Sequence, residues 1–259
     1  MVHRKAVACY NRALTLDPNY PVHARKGESF AELRLHRKAI TCYDRALTQD
    51  PNDPYLHGMK GESLAELRLH KKAITCYDRA LALDPNYLHV YIKKGELFTE
   101  TGLHQEAVAC YNQALALNPN NPYIHAQKGI LLAGMDKHEE AITCYNRALA
   151  LDPDYLYIHF KKGILLAGMD KHEEAITCYN RALVLDPDYL DVHVKKGESL
   201  AELEQFKRAI TCYNRALVLD PNDLHTHVKR GESFAKMNKH EKAITCYNRA
   251  LPNLSLIHI

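Results

Sequence analysis

Apolar side chains recur along this chain in short runs at steps of three and four, and every second run stops at an Asp-Pro or Asn-Pro pair. Residues 54–87 show the unit. Tyr55 to Leu67 carries Leu56, Gly61, Leu64 and Leu67 at helical spacing, and Lys71 to Leu83 carries Ala73, Ile74, Tyr77, Ala80 and Leu81. Asp84-Pro85-Asn86 ends the second run, because proline cannot continue a helix and restricts the residue before it. The pattern predicts two helices of about 13 residues per unit, each roughly 20 Å long. Helices of that length are marginal alone, so packing within and between units must hold them.

The unit repeats through the chain. Gly27, Gly61, Gly95, Gly129, Gly163, Gly197 and Gly231 are 34 residues apart. Pro18, Pro51, Pro85, Pro119, Pro153, Pro187 and Pro221 follow the same rhythm, apart from a first step of 33 that shortens the opening junction. Residues 1–19 then form a half unit with a second helix only, followed by seven units starting at 20, 54, 88, 122, 156, 190 and 224, the last incomplete. The pattern is lost after Leu251. Residues 254–259, Leu-Ser-Leu-Ile-His-Ile, are expected to be a non-native tail encoded by a sequencing adapter read in frame. Residues 128–156 and 162–190 differ only at Ala150 and Val184, the mark of a duplication.

These positions carry a family resemblance. The unit reads His57-x2-Lys60-Gly61-x2-Leu64, then Ala73-x3-Tyr77, then Pro85, with Ala80 at another small site. It resembles the tetratricopeptide repeat, whose pattern is Trp-x2-Leu-Gly-x2-Tyr, Ala-x3-Phe and Pro. The resemblance covers residues 1 to 253. It implies an all-α fold, a right-handed α-solenoid of stacked antiparallel helix hairpins with the first helices lining a concave groove. The family's Trp is replaced by His23, His57, His125, His159, His193 and His227, with Tyr91 in the third unit; its Leu is replaced by Lys or Arg.

Composition narrows the chemistry. Lys and Arg total 34 against 31 Asp and Glu, a net charge of +3, which does not supply the concentrated positive field of a nucleic-acid or membrane binder. The eight cysteines occur once per unit, each before a tyrosine, with no Cys-x-x-Cys pair, so they read as small buried hydrophobes in a cytoplasmic or other reducing compartment. Phosphate loops, nucleophile elbows and zincin motifs are absent from the sequence. No catalytic residue, metal ligand or cofactor is assigned, and the chain is read as a non-enzyme. The sixteen histidines and the Asn or Asp after each second-helix tyrosine are read as structural; any histidine buried neutral would weaken the fold near pH 6.

The expected function is a protein-interaction scaffold. First-helix positions spaced 3, 4, 3 and 1 share one face. In the fourth and fifth units that face is apolar and aromatic, and Tyr123, Ile130, Tyr157, Phe160 and Ile164 are assigned to an anchor pocket. Glu62, Glu96, Glu198 and Glu232 flank it and would favour a peptide with basic flanks. The partner is a protein or an extended or helical peptide. The family's clamp for a C-terminal carboxylate is not expected, because Glu and apolar residues stand where it needs Lys, Asn and Arg. Two alternatives stay open: the repeat arm of a larger enzyme such as a glycosyltransferase, and a structural array self-associating end to end.

Overall fold

The computed structural model describes residues 2–17 and 22–250. The opening junction around Pro18 and the 254–259 segment lie outside the described residues. The described residues form fifteen α-helices, and the chain divides into two compact units, residues 1–131 and 132–259. The first holds α1 (Val2–Leu16), α2 (His23–Glu32), α3 (His36–Gln49), α4 (Pro54–Glu66), α5 (His70–Leu83), α6 (Leu88–Glu100), α7 (His104–Leu117) and most of α8 (Pro122–Gly134). The second holds α9 (His138–Leu151), α10 (Leu156–Gly168), α11 (His172–Leu185), α12 (Leu190–Glu202), α13 (Phe206–Leu219), α14 (Leu224–Lys236) and α15 (His240–Ala250). Each is an all-α solenoid of stacked helix hairpins. None of the described helices is long and apolar enough to cross a membrane.

One contact sets how close the two helices of a hairpin come. Tyr77 is fully buried, and its ring lies where a Cβ on Gly61 would be, 2.6 Å away. Only hydrogen fits, so α4 and α5 approach closely. Leu64, Ala73, Cys76 and Ala80 close the core around the ring, and Val90 and Leu97 of the next hairpin complete it. The core thus runs from hairpin to hairpin within a unit. Seven cysteines are buried; burial pushes the thiols of Cys42, Cys76, Cys110, Cys178 and Cys212 up, which suits packing rather than reactivity. Cys9, on α1, is exposed.

His36, His70, His104, His138, His172 and His240 are the first residues of their second helices. The turn is made by the residue two before each, which takes positive φ: Arg68 at 56° and Asp170 at 59°, with Gly102 at 76° in the third unit.

The histidines in the family's tryptophan place have a visible role. His57 Nε2 lies 3.0 Å from the Pro51 carbonyl, and His125, His159, His193 and His227 bond Pro119, Pro153, Pro187 and Pro221 in the same way. A carbonyl only accepts, so Nε2 carries the proton. Each ring therefore ties a first helix to the turn that introduces it. His23, the first histidine in this place, has its pKa lowered by burial and then by Arg45 and Lys26. The Lys in the family's Leu place reaches back a hairpin: Lys60 pairs with Asp44 at 2.6 Å, Lys94 with Asp78 at 2.5 Å, and Arg230 donates to Asn214 at 3.0 Å. These Asp and Asn residues are those that follow the second-helix tyrosines.

Candidate peptide-binding groove

The predicted groove residues all lie on first helices, and each compact unit brings together its own set. In the first unit the exposed inner face carries Tyr55 at 41% exposure, His89 and Tyr123, each one step along from a glutamate of the preceding hairpin. These pairs are bonded. The Tyr55 hydroxyl donates to Glu28 at 2.9 Å, His89 Nε2 meets Glu62 at 2.8 Å, and the Tyr123 hydroxyl donates to Glu96. Lys93, one turn before Glu96, adds an ion pair at 3.0 Å. The Glu62 contact, against the opposing effect of burial, raises the pKa of His89. The carboxylates expected to stand free for a basic peptide are thus engaged inside the fold.

The second unit pairs its glutamates likewise. Glu198 accepts from Lys195 and from His225 Nε2, both at 2.8 Å, and Glu232 pairs with Lys229 at 3.1 Å. Burial acts to raise the Glu198 pKa, but the bonds from His225 and Lys195 outweigh it and hold the carboxyl below its ordinary range. The row is broken on α10, where Ile164 stands in the glutamate place at 36% exposure. Tyr157 is 42% exposed, with the Lys161 ammonium 5.1 Å above its ring.

One correction to the anchor follows. Phe160 is 7% exposed and belongs to the core, its ring 5.1 Å from that of Tyr189 and 6.3 Å from that of Tyr179. The reason is stacking: the face bearing Phe160 is covered by the start of the next hairpin, where Val192 joins the same cluster. Gly58 holds the equivalent place on α4, against Val90 and Tyr87. Tyr123 and Ile130 fall in the first unit and Tyr157 and Ile164 in the second. Ile130 is partly buried.

The sequence reading passed over the residues that neutralise the glutamates. Lys93, Lys195 and Lys229 each precede their glutamate by three residues, a spacing visible in the sequence. His89 and His225 lie 27 residues beyond their partners, which only the stacking of hairpins brings within reach.

The open inner face of the second unit forms a pocket of about 440 Å³ lined by Ile164, Ala167, Gly168, Tyr179, Lys195 and Glu198 among others. Its counterpart beside α4 and α6 encloses about 90 Å³ between Glu62, Glu66, Lys93, Glu96 and Glu100. A neighbouring cleft of about 490 Å³ adds Arg68 and His70. Among the described residues no group of three or more His, Cys, Asp and Glu is placed to hold a metal ion.

Solved structures with the same fold include MamA from Desulfovibrio magneticus RS-1, at 19% identity over 66% of this chain and 97% of that one, with a TM-score of 0.62. YrrB, described as a TPR protein with an unusual peptide-binding site, matches at 21% identity over 71% of this chain and 95% of that one, TM-score 0.62. The Cut9–Hcn1 hetero-tetramer of the APC/C matches at 18% identity over 97% of this chain and 50% of that one, TM-score 0.59. No curated protein sequence matches the chain. Patterns for the tetratricopeptide repeat match residues 3–54 and 54–87, and the TPR repeat pattern matches 95–136, 135–170, 169–203 and 197–238. The hairpins, their small-residue contacts and these matches lead to one statement: the chain belongs to the tetratricopeptide repeat family.

Proposed function

We propose that this chain is a protein-interaction scaffold, non-catalytic in itself, that binds a peptide segment of its partner along the inner faces of its first helices. The observation that carries the reading is the exposed aromatic and aliphatic side chains on first helices, Tyr55 and Tyr123 in the first unit and Tyr157 and Ile164 in the second. Large side chains of this kind dominate binding when a partner covers them. The bonded glutamates alter the expected electrostatics: each already has an internal cation or donor, so charge contributes to encounter more than to affinity. That relatives of this fold include a protein described as having a peptide-binding site agrees with the proposal.

Selection of a displayed random peptide library against the full chain tests it. Enriched sequences should bind in solution, and Tyr157→Ala should weaken them about ten-fold. Val218→Ala, at an exposed site on the second helix α13, should leave them unchanged. A library that yields no enriched sequence would overturn the proposal.

A further inference from the structure

The small net charge of the chain conceals two opposite local fields, both on the turns that join the helices of a hairpin. In the first unit these turns and the helix starts after them carry Arg34, Arg37 and Lys38, then Arg68, Lys71 and Lys72, all exposed. The same places in the second unit hold Asp136, Glu139 and Glu140, then Asp170, Glu173 and Glu174, again all exposed. Glu32, Glu66 and Glu100 border the basic set, and Lys137 and Lys171 lie within the acidic one, so each keeps a surplus of its own sign.

The acidic set is explained by its own helices. Carboxylates are favoured in a first turn, where free backbone N–H groups and the helix dipole present positive charge, and Glu139, Glu140, Glu173 and Glu174 stand in the first turns of α9 and α11. The basic set runs against two local preferences. Cations in the first turns of α3 and α5 face the positive end of the dipole. Arg34 and Arg68 hold the left-handed turn position, with φ of 57° and 56°, which Asp tolerates better. Among the described residues none of these six side chains is ion-paired; Lys38 lies 5.8 Å above the Phe30 ring, and Arg68 shares a cleft with Glu66 and Glu100. Leu35 and Leu69, beside the cations, are each 42% exposed. Cations kept where the hairpin itself favours acids answer to something outside the hairpin.

We infer that the basic ridge of the first unit docks on the acidic ridge of the second unit in another copy of this chain. Charge complementarity favours that occupant. Register favours it too: both sets repeat after 34 residues over two successive hairpins, so cations and carboxylates fall at matching intervals. Lys137 and Lys171 stand at the places of Leu35 and Leu69, and their aliphatic stems give the acidic ridge an apolar surface to set against those leucines. The contact uses the hairpin turns and leaves the inner faces free.

Sedimentation velocity of the full chain at neutral pH tests this. The unaltered chain should self-associate, and raising salt from about 0.05 M to about 0.5 M should weaken the association about ten-fold or more. Combining Arg37→Glu, Lys38→Glu, Lys71→Glu and Lys72→Glu agrees with the helix dipole, so the thermal midpoint should be no lower while the chain stays monomeric. Combining Glu139→Lys, Glu140→Lys, Glu173→Lys and Glu174→Lys should also give a monomer. An equimolar mixture of the two variants should associate again, because one then carries two acidic ridges and the other two basic ones. A chain monomeric at low salt, undiminished association of the first variant, or a mixture that stays monomeric would overturn the inference. So would binding of the unaltered chain to phosphatidylserine vesicles without self-association, lost in the first variant, which would assign the basic ridge to a lipid surface.

Discussion

Hairpin α4–α5 of the first unit and hairpin α10–α11 of the second share one backbone plan and present different surfaces. Both bury a tyrosine against a glycine, Tyr77 on Gly61 and Tyr179 on Gly163. Outside that contact they diverge. On α4 the inner face carries Glu62 and Glu66; on α10 the same places hold Ile164 and Gly168. Taken over whole units, these two first-helix places hold six glutamates up to Glu100, and only Glu198, Glu202 and Glu232 beyond Gly134. One interior thus supports an acidic surface in one unit and an apolar, open one in the other. The lesson is that conformation is set by residues pressed between helices, whereas surface character is set by neighbours one turn away that stay outside that contact.

The sharpest way to break this division is to give both kinds of glycine a methyl group. Gly61→Ala forces a Cβ into the Tyr77 ring and should cost about 2 kcal/mol, because a fully buried ring has nowhere to move. Gly168→Ala meets open space and should instead stabilise by about 0.5–1 kcal/mol. Paired thermal melts check the opposite signs; a loss of similar size at both sites would end the distinction.

The turns between helices sharpen the comparison next. Arg34 and Arg68 take positive φ in the first unit, where the second unit uses Asp136, Asp170, Glu204 and Asn238. Arginine tolerates the left-handed region less well than Asp or Asn, whose short side chains bond locally. Arg68→Gly should raise stability by about 1 kcal/mol and Asn238→Gly by less, read from the shift in thermal midpoint.

The smallest effects concern pH, where His89 of the first unit and Glu198 of the second should respond with opposite sign. His89 has a raised pKa, so its bond to Glu62 stabilises fully below the ordinary histidine value of about 6.5 and fades as pH rises through the folded value. His89→Gln should therefore cost more at pH 5.5 than at pH 8.5, by a degree or two of midpoint at about 0.5 kcal/mol. Glu198 has a lowered pKa, so its contribution is complete above about 4.3 and is lost as pH falls through the folded value. Glu198→Gln should flatten the acid side of the stability curve and leave the alkaline side parallel to the original. Within the first unit His23 works against His89, since its lowered pKa withdraws stability as pH falls below about 6.5. His23→Gln should reduce the acid loss.

Much of the architecture was legible in the chain because a period of 34 residues repeats the same small and large side chains at the same places. Gly61, Ala73 and Tyr77 announce the hairpin, and Pro85 announces its end. The groove was legible only in part. Helical spacing correctly placed Tyr157, Phe160 and Ile164 on α10, but it describes one helix in isolation. It does not say that the next hairpin covers Phe160 and leaves Ile164 open.

What the sequence by itself determined is therefore the repeat, the helices and the family, all of which depend on residues near one another in the chain. Only the tertiary structure decided which side chains the stacking covers. It also decided that Glu62 and Glu198 spend their charge on His89 and His225, 27 residues further on. Those pairings depend on the distance between successive hairpins, a quantity set by packing and absent from any single helix's pattern.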